Sequence, residues 1–400
     1  MKITDLKVAV IGNHPVVRIT TDEGIDGIGC VEASKPYLKP HILFYKEYLL
    51  GEDPRDVERT VRRIRRMGAF KPWGAAISAI EVALWDIAGK ASGQPIYRLL
   101  GGKVRDKVRV YNGNFRSPIG GGYSPEGMAK NMQWMKDLPH NFSIIKQGIA
   151  FHGNMATDVP DYYYGDVENK ARFPKRGRLT ERGLKHTIEC VTAMKEVLGD
   201  EVGLALDVGP GLIPQDALKL ARALEDHNLM WMEDMITGDY TPYVIADLYR
   251  DVSDNTTTPV HTGEQIYLRQ NFMDLIEKRA VDVVGPDPLD VGGLAELKWI
   301  SEYADLHGID MAPHGTLDGL IGLAALVQVS AALPQNFIAF ELPNAEADWW
   351  HDIIDGPVVD KSLVKDSHIE VWDTPGLGIT LIEEETKKYL REEDADFFEG

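Results

Sequence analysis

Seven ionisable residues stand at the ends of short apolar runs. FSIIK ends on Lys146, VGLALD on Asp207, LMWME on Glu233, PVHTGE on Glu264, VDVVGPD on Asp287, IDMAPH on His314 and FIAFE on Glu341. From Asp207 onward they recur every 23 to 31 residues, about one strand-plus-helix unit each. A buried strand that finishes on a carboxylate needs a cation, a base or a metal as partner. In a closed parallel barrel all such positions face one mouth, the end that carries active sites.

Asp207, Glu233 and Glu264 lie on consecutive strands. Hard oxygen donors around one point suit Mg2+, which leaves coordination positions for substrate oxygens. Without a cation, three converging carboxylates repel one another and resist ionisation. Each acid alone reads equally well as a loop residue capping the next helix; three in register do not. His314 and Asp287 come from neighbouring strands. A carboxylate beside an imidazole fixes its tautomer and raises its basicity. No serine or cysteine nucleophile accompanies them, so proton transfer is the better reading. Lys146, on the second strand, is either a solvated strand end or a cation that meets a substrate carboxylate or moves a proton. His261 precedes Glu264 by three residues, so strand alternation is expected to turn it away from that side chain's face. His152 opens a long loop and is a weaker candidate for the site.

The elements that position these groups are legible in the same pattern. Strand candidates VRVYNGN, FSIIKQG, VGLALDVG, LMWMEDM, TPVHTGE, VDVVGPD, IDMAPH and FIAFE alternate with helical segments such as PQDALKLARALEDH and GLAELKWISEYADLHG. Alternating β and α elements imply a parallel sheet, and eight such strands match a (β/α)8 TIM barrel. A doubly wound open sheet is the alternative, but no G-x-G-x-x-G or Walker loop supports its nucleotide-binding form. Before the barrel, turn chemistry at Asp22-Glu23-Gly24 and Asp26-Gly27 separates β-rich runs, and ISAIEVALWDIAGKA has helical spacing. The expected division is an α+β domain over residues 1–105, the barrel over 106–345, and a C-terminal segment, 346–400, returning to the first domain. The final EEETKKYLREEDADFFEG reads as a solvated last helix and tail. Residues 150–180, with Tyr162, Tyr163, Tyr164 and the basic Lys175, Arg176 and Arg178, form a connection long enough to be a lid or a subunit contact.

Composition narrows the function classes. The 400 residues carry 43 Lys and Arg against 62 Asp and Glu, a formal charge of −19, which argues against nucleic acid or an anionic membrane as partner. Two cysteines, Cys30 and Cys190, make no disulfide scaffold and suit a reducing compartment. No window approaches the roughly 20 apolar residues of a membrane span, and the first residues do not read as a signal peptide. The expectation is a cytoplasmic protein and a homo-oligomer.

Taken together, these residues resemble the enolase superfamily in its mandelate racemase-like branch, over essentially the whole chain. The carriers are TTDEGIDGIG, AISAIEVALWDIAGKASGQPIYRLLGG, LALD, MWMED, HTGEQ, DPLDVGG, and APHG followed by AFE. The resemblance implies a capping domain on a modified barrel. It also implies abstraction of the proton α to a carboxylate, by a Lys or His base working with Mg2+. Asp207, Glu233 and Glu264 would then hold the metal, His314 with Asp287 would carry protons, and Glu341 would hydrogen-bond the enediolate oxygen. Two departures bear on the activity. The second strand ends Lys146-Gln147-Gly148 where family racemases commonly carry K-x-K. The third reads Asp207-Val208-Gly209, without the D-x-H of some aldonate dehydratases and without D-x-N. One clear acid/base centre favours a sugar acid dehydratase, giving a 2-keto-3-deoxy acid. Either His314 works alone, or Lys146 or a tyrosine of 162–164 shares the proton transfers. A racemase or epimerase is the alternative, with a non-catalytic barrel or an unrelated barrel hydrolase behind it. Asn114, Arg116, His152 and Trp349 are candidate contacts to a polyhydroxy acid.

Overall fold

The computed structural model describes residues 1–67, 74–113, 122–152, 154–165, 176–236 and 244–399. Its N-terminal part is an antiparallel sheet of β1 (Ile3–Ile11), β2 (His14–Thr21) and β3 (Asp26–Cys30), in that order. After short helical turns come two longer helices among the described residues, α1 (Val57–Met67) and α2 (Ala75–Ser92). Nearly every residue of α2 from Ala75 to Gly89 is buried, because the helix lies between β3 and the barrel and has no solvent face. It stops at Gly93, whose φ of 64° is left-handed.

The barrel strands are β4 (Lys107–Tyr111), β5 (Ile144–Gly148), β6 (Gly203–Asp207), β7 (Trp231–Glu233), β8 (Val260–Thr262), β9 (Val283–Val284), β10 (Asp310–Met311) and β11 (Phe340–Glu341). β5 to β10 pair in sequence order and in parallel, and β11 pairs in parallel with β4. Two joints lack a regular ladder. A Met311–Phe337 bridge ties β10 to the segment entering β11. Between β4 and β5, the Asn112 side chain does the work of a strand neighbour. It accepts from Lys146 N at 2.6 Å and donates to Lys146 O at 2.9 Å. Strand β12 (His368–Glu370) adds antiparallel to β4 on the edge opposite β11.

Among the described residues, seven helices of eight residues or more cover the barrel: α3 (Pro125–Lys136), α4 (Glu181–Leu198), α5 (Pro214–Ala223), α6 (Ala246–Ser253), α7 (Arg269–Glu277), α8 (Leu294–Leu306) and α9 (Gly319–Ser330). Most are buried on one face; α9 is buried throughout because β3 and Ile96–Leu99 cover its outer side. Inside the strands, Tyr111, Ile144, Ala205, Trp231, Val283, Ala312 and Ala339 pack into a plug below the mouth. No helix among the described residues is long and apolar enough to cross a membrane. Cys30 and Cys190 are buried and free.

The acidic C-terminal run differs from the solvated helix and tail expected of it. It forms short helical turns, of which Glu392–Asp394 packs on β1. Asp394 is buried, accepts from Val10 N at 2.9 Å and pairs with Lys39; Lys7 holds Asp396 at 2.9 Å; Phe397 is buried. Basic residues scattered through the first fifty positions complement the acids, a match that a local reading of charge does not reveal. In the DTPGLG turn, Leu377 N donates to Asp86 Oδ1 at 2.9 Å.

Candidate active site

Register explains the site's wall. Gly148, Asp207, Glu233 and His261 are successive partners across β5 to β8, and partners in a parallel sheet point to the same face. Lys146 sits two residues below Gly148, on that same face, and its long side chain reaches up into the row. Its ammonium lies 2.9 Å from Glu233 Oε1, 3.2 Å from Glu341 Oε1 and 3.9 Å from Asp207 Oδ2. Burial opposes the lysine's charge, but Glu233 and Glu341 outweigh it and hold the pKa well above the ordinary lysine value.

Opposite stands the imidazole. His314 Nδ1 is 2.7 Å from Asp287 Oδ2, and Asp287 Oδ1 accepts from Leu289 N at 2.6 Å. His314 Nε2 therefore faces the mouth, 3.2 Å from Glu264 Oε2 and 3.4 Å from Glu341 Oε2. Burial would lower its pKa, yet Glu264, Glu341 and Asp287 hold it well above the usual histidine value. Glu341 thus stands between Lys146 and His314, one oxygen toward each. Its Oε2 is buried and makes no hydrogen bond.

The carboxylates split in their response. Burial raises the pKa of Glu264. Burial also presses on Asp207 and Glu233, but His152 and Lys146 for the first, and Lys146 and His261 for the second, bring both below the usual range. Carboxyl oxygens of Glu233, Asp234 and Glu264 lie within 4.8 Å of one another. Asp207 is differently engaged: its Oδ1 accepts from Gly209 N at 3.2 Å and lies 3.2 Å from His152 Nδ1. Asp234 is held by Thr262, whose hydroxyl donates to it at 2.7 Å. This donor set fits a hard divalent cation: clustered oxygens, one carboxyl kept from ionising easily, an orphaned carboxylate oxygen, and an ammonium already drawn among them. Glu233 and Glu264 with Asp207, or with Asp234 by simple proximity, would hold it.

The remaining expected contacts fare differently. His152 folds back over the third strand, where a Cβ on Gly209 would lie 2.7 Å from His152 N. Its imidazole leans on Asp207, which raises its pKa. Trp349 stacks on Tyr389, centroids 4.1 Å apart, and on Trp350; its ring contacts are with these two and not with the charged cluster. Tyr162 bonds Thr187 Oγ1 at 2.7 Å behind the wall, and Tyr164 is exposed. Asn114, Arg116 and Lys175 lie outside the described residues.

His261 corrects an expectation. It does not turn outward: it is 1% exposed, stacks on Trp231, and puts Nδ1 3.6 Å from Glu233 Oε2. Trp231 Nε1 also donates to that oxygen at 3.1 Å. Glu264 lies past the strand end, where alternation no longer holds, and the neighbour of His261 is Glu233 on the adjacent strand. A second group came from the N-terminal part with no spacing to announce it. Glu32 Oε1 lies 3.9 Å from His314 Nδ1, and Lys35 bridges Glu32 to Asp290, 2.7 Å from Asp290 Oδ2. Burial pushes Glu32 up to about 8.

Comparison with known proteins agrees with this architecture. Residues 9–101 match the mandelate racemase / muconate lactonizing enzyme N-terminal domain, and residues 168–385 match the enolase C-terminal domain-like family. A D-xylonate dehydratase from Haloferax volcanii is 32% identical over 95% of this chain and 87% of its own. A D-galactonate dehydratase family member from Pseudarthrobacter chlorophenolicus is 28% identical over 93% and 90%. The crystal structure of a mandelate racemase/muconate lactonizing enzyme-like protein from Rubrobacter xylanophilus superposes with a TM-score of 0.83 at 31% identity, covering 98% of both chains. A small antiparallel cap, a closed parallel barrel and acids at successive strand ends thus come with matching sequence along nearly the whole length: the chain belongs to the mandelate racemase/muconate lactonizing enzyme family of the enolase superfamily.

Proposed function

We propose that the protein is a Mg2+-dependent dehydratase of a polyhydroxy sugar acid, a pentonate or hexonate, yielding a 2-keto-3-deoxy acid. The observation that carries this reading is the His314–Asp287 pair, with its Nε2 aimed at the carboxylates that line the mouth. The dehydratase names of the D-xylonate and D-galactonate relatives support the substrate class. Glu233 and Glu264 with Asp207 would hold a cation, which when bound would supply positive charge to the substrate carboxylate and so acidify its α proton. His314 Nε2 takes that proton from C2 while Asp287 fixes the tautomer. Lys146, beside Glu341 at the carboxylate end, supplies its ammonium where negative charge develops. The C3–oxygen bond then breaks, and the proton on His314 leaves with the hydroxyl as water. The resulting enol tautomerises to the 2-keto acid. His152 is the described candidate best placed to meet the hydroxyl chain.

A second reading has one observation in its favour. Lys146 and His314 approach opposite oxygens of Glu341, as two acid/base groups of an epimerase would. The test is a panel of aldonates and aldarates incubated with Mg2+ in D2O, with 2-keto acids detected by semicarbazide. Keto acid from at least one aldonate is expected. Deuterium at C2 of unreacted acid with no keto acid would replace dehydration by epimerisation.

A further inference from the structure

Glu81 lies far along α2 from the charged mouth, yet its carboxylate reaches into the loop that carries Asp287. Its Oε2 accepts from Leu294 N at 2.9 Å, and its Oε1 accepts from Ala295 N at 3.0 Å and from Trp85 Nε1 at 2.7 Å. Leu294 and Ala295 are the first two residues of α8, so an acid from one domain satisfies the open N–H groups of a helix in the other. One turn earlier on α2, Ser78 Oγ accepts from Gly292 N at 2.9 Å. The approach is close enough to require glycine: a Cβ on Gly293, where φ is 104°, would lie 2.1 Å from Glu81 Oε2. This accounts for the V-G-G of the DPLDVGG element.

The clamp continues to the base through short covalent and hydrogen-bonded steps. Val291 N and Asp290 N donate to Asp287 O at 2.8 and 3.1 Å, and Asp287 Oδ2 meets His314 Nδ1 at 2.7 Å. Asp287 therefore sits on a turn whose far end is gripped by α2. We infer that Glu81, seconded by Ser78, is a positioning residue for the His314–Asp287 pair, so that the N-terminal part sets the aim of the base as well as covering the barrel. The inference deepens the proposed function and rests on His314 as the base. No spacing between residues 81 and 294 announces the contact.

The test uses full-length protein with Mg2+ present throughout. The first readout does not depend on turnover: the low-field proton resonance of the His314 Nδ1–Asp287 hydrogen bond, identified by its loss in His314→Asn. The second is kcat and KM with the aldonate found active. Glu81→Gln keeps the side chain's size and removes one acceptor oxygen. The expected result is a shifted or broadened low-field resonance and a kcat lower by about 10- to 100-fold, because a displacement of about 1 Å at the base is worth about 100-fold. KM should move by less than about threefold, since binding groups are untouched. Ser78→Ala, a milder change, should give the same pattern at smaller amplitude, and Glu81→Asp should recover part of the loss. An unchanged resonance and kcat in folded Glu81→Gln, or in Ser78→Ala if that protein alone folds, overturns the inference whatever happens to thermal stability. If wild type dehydrates nothing, the proposed function fails while the resonance still decides the positioning role.

Discussion

Lys146→Met probes the electrostatics of the site most directly. Methionine keeps an unbranched stem of similar length against Tyr111, whose ring centre lies 5.7 Å from the ammonium, and removes only the charge. The ammonium serves three carboxylates, at 2.9, 3.2 and 3.9 Å. At an effective dielectric of about 20, each pair is worth about 4–6 kcal/mol of gross attraction. Desolvation of the buried lysine offsets much of it, so the net loss on breaking such a set is about 3–5 kcal/mol. For 400 residues the unfolding entropy makes each kcal/mol worth roughly 1 °C of Tm. Calorimetry in EDTA should thus show Lys146→Met melting about 5 °C below wild type. Saturating Mg2+ should close most of that gap, since a cation among Asp207, Glu233 and Glu264 replaces the missing charge. Isothermal titration should also find Mg2+ bound more tightly by the variant, which no longer holds a competing ammonium. A Tm deficit unaltered by Mg2+, or a weaker affinity in the variant, would refute the placement of the metal beside Lys146.

The other predictions concern the remaining groups. His314→Asn should lower kcat by at least about 10² to 10⁴ with the circular dichroism unchanged, the range general-base loss spans; most activity retained would remove His314 from the mechanism. Glu233→Gln should weaken Mg2+ binding by more than the about 10- to 100-fold seen for outer-sphere partners, read by titration calorimetry. Metal binding should release protons, because the cation takes over the negative charge of Glu264 and neighbours that raises the His314 pKa; calorimetry in buffers of different ionisation enthalpy measures the number. In metal-free protein the same histidine has a folded pKa above its unfolded value. Its stabilising contribution is therefore fully present below about pH 6.5 and is lost as pH rises through the folded value. Urea midpoints of wild type and His314→Asn across that range should converge at high pH.

The sequence by itself determined the strand-end chemistry. Apolar runs closing on Lys146, Asp207, Glu233, Glu264, Asp287, His314 and Glu341 at one-unit spacing are local facts, and a parallel sheet converts each of them into the same geometric statement. That rule works because a strand's side-chain period and a barrel's common polarity leave little freedom at a strand end. It failed for His261, whose face is set by the register of a neighbouring strand. It was silent on Asn112, which stands in for a missing ladder between β4 and β5. Nor could it relate Glu32, Lys35, Ser78 and Glu81 to their partners in the barrel, more than about two hundred residues later. Those contacts exist because α2 and the loop after β3 are packed against the barrel, and packing across two domains has no period along the chain. Which residues carry charge was written locally; which charges meet was decided by the tertiary fold, through register and the docking of one domain on the other.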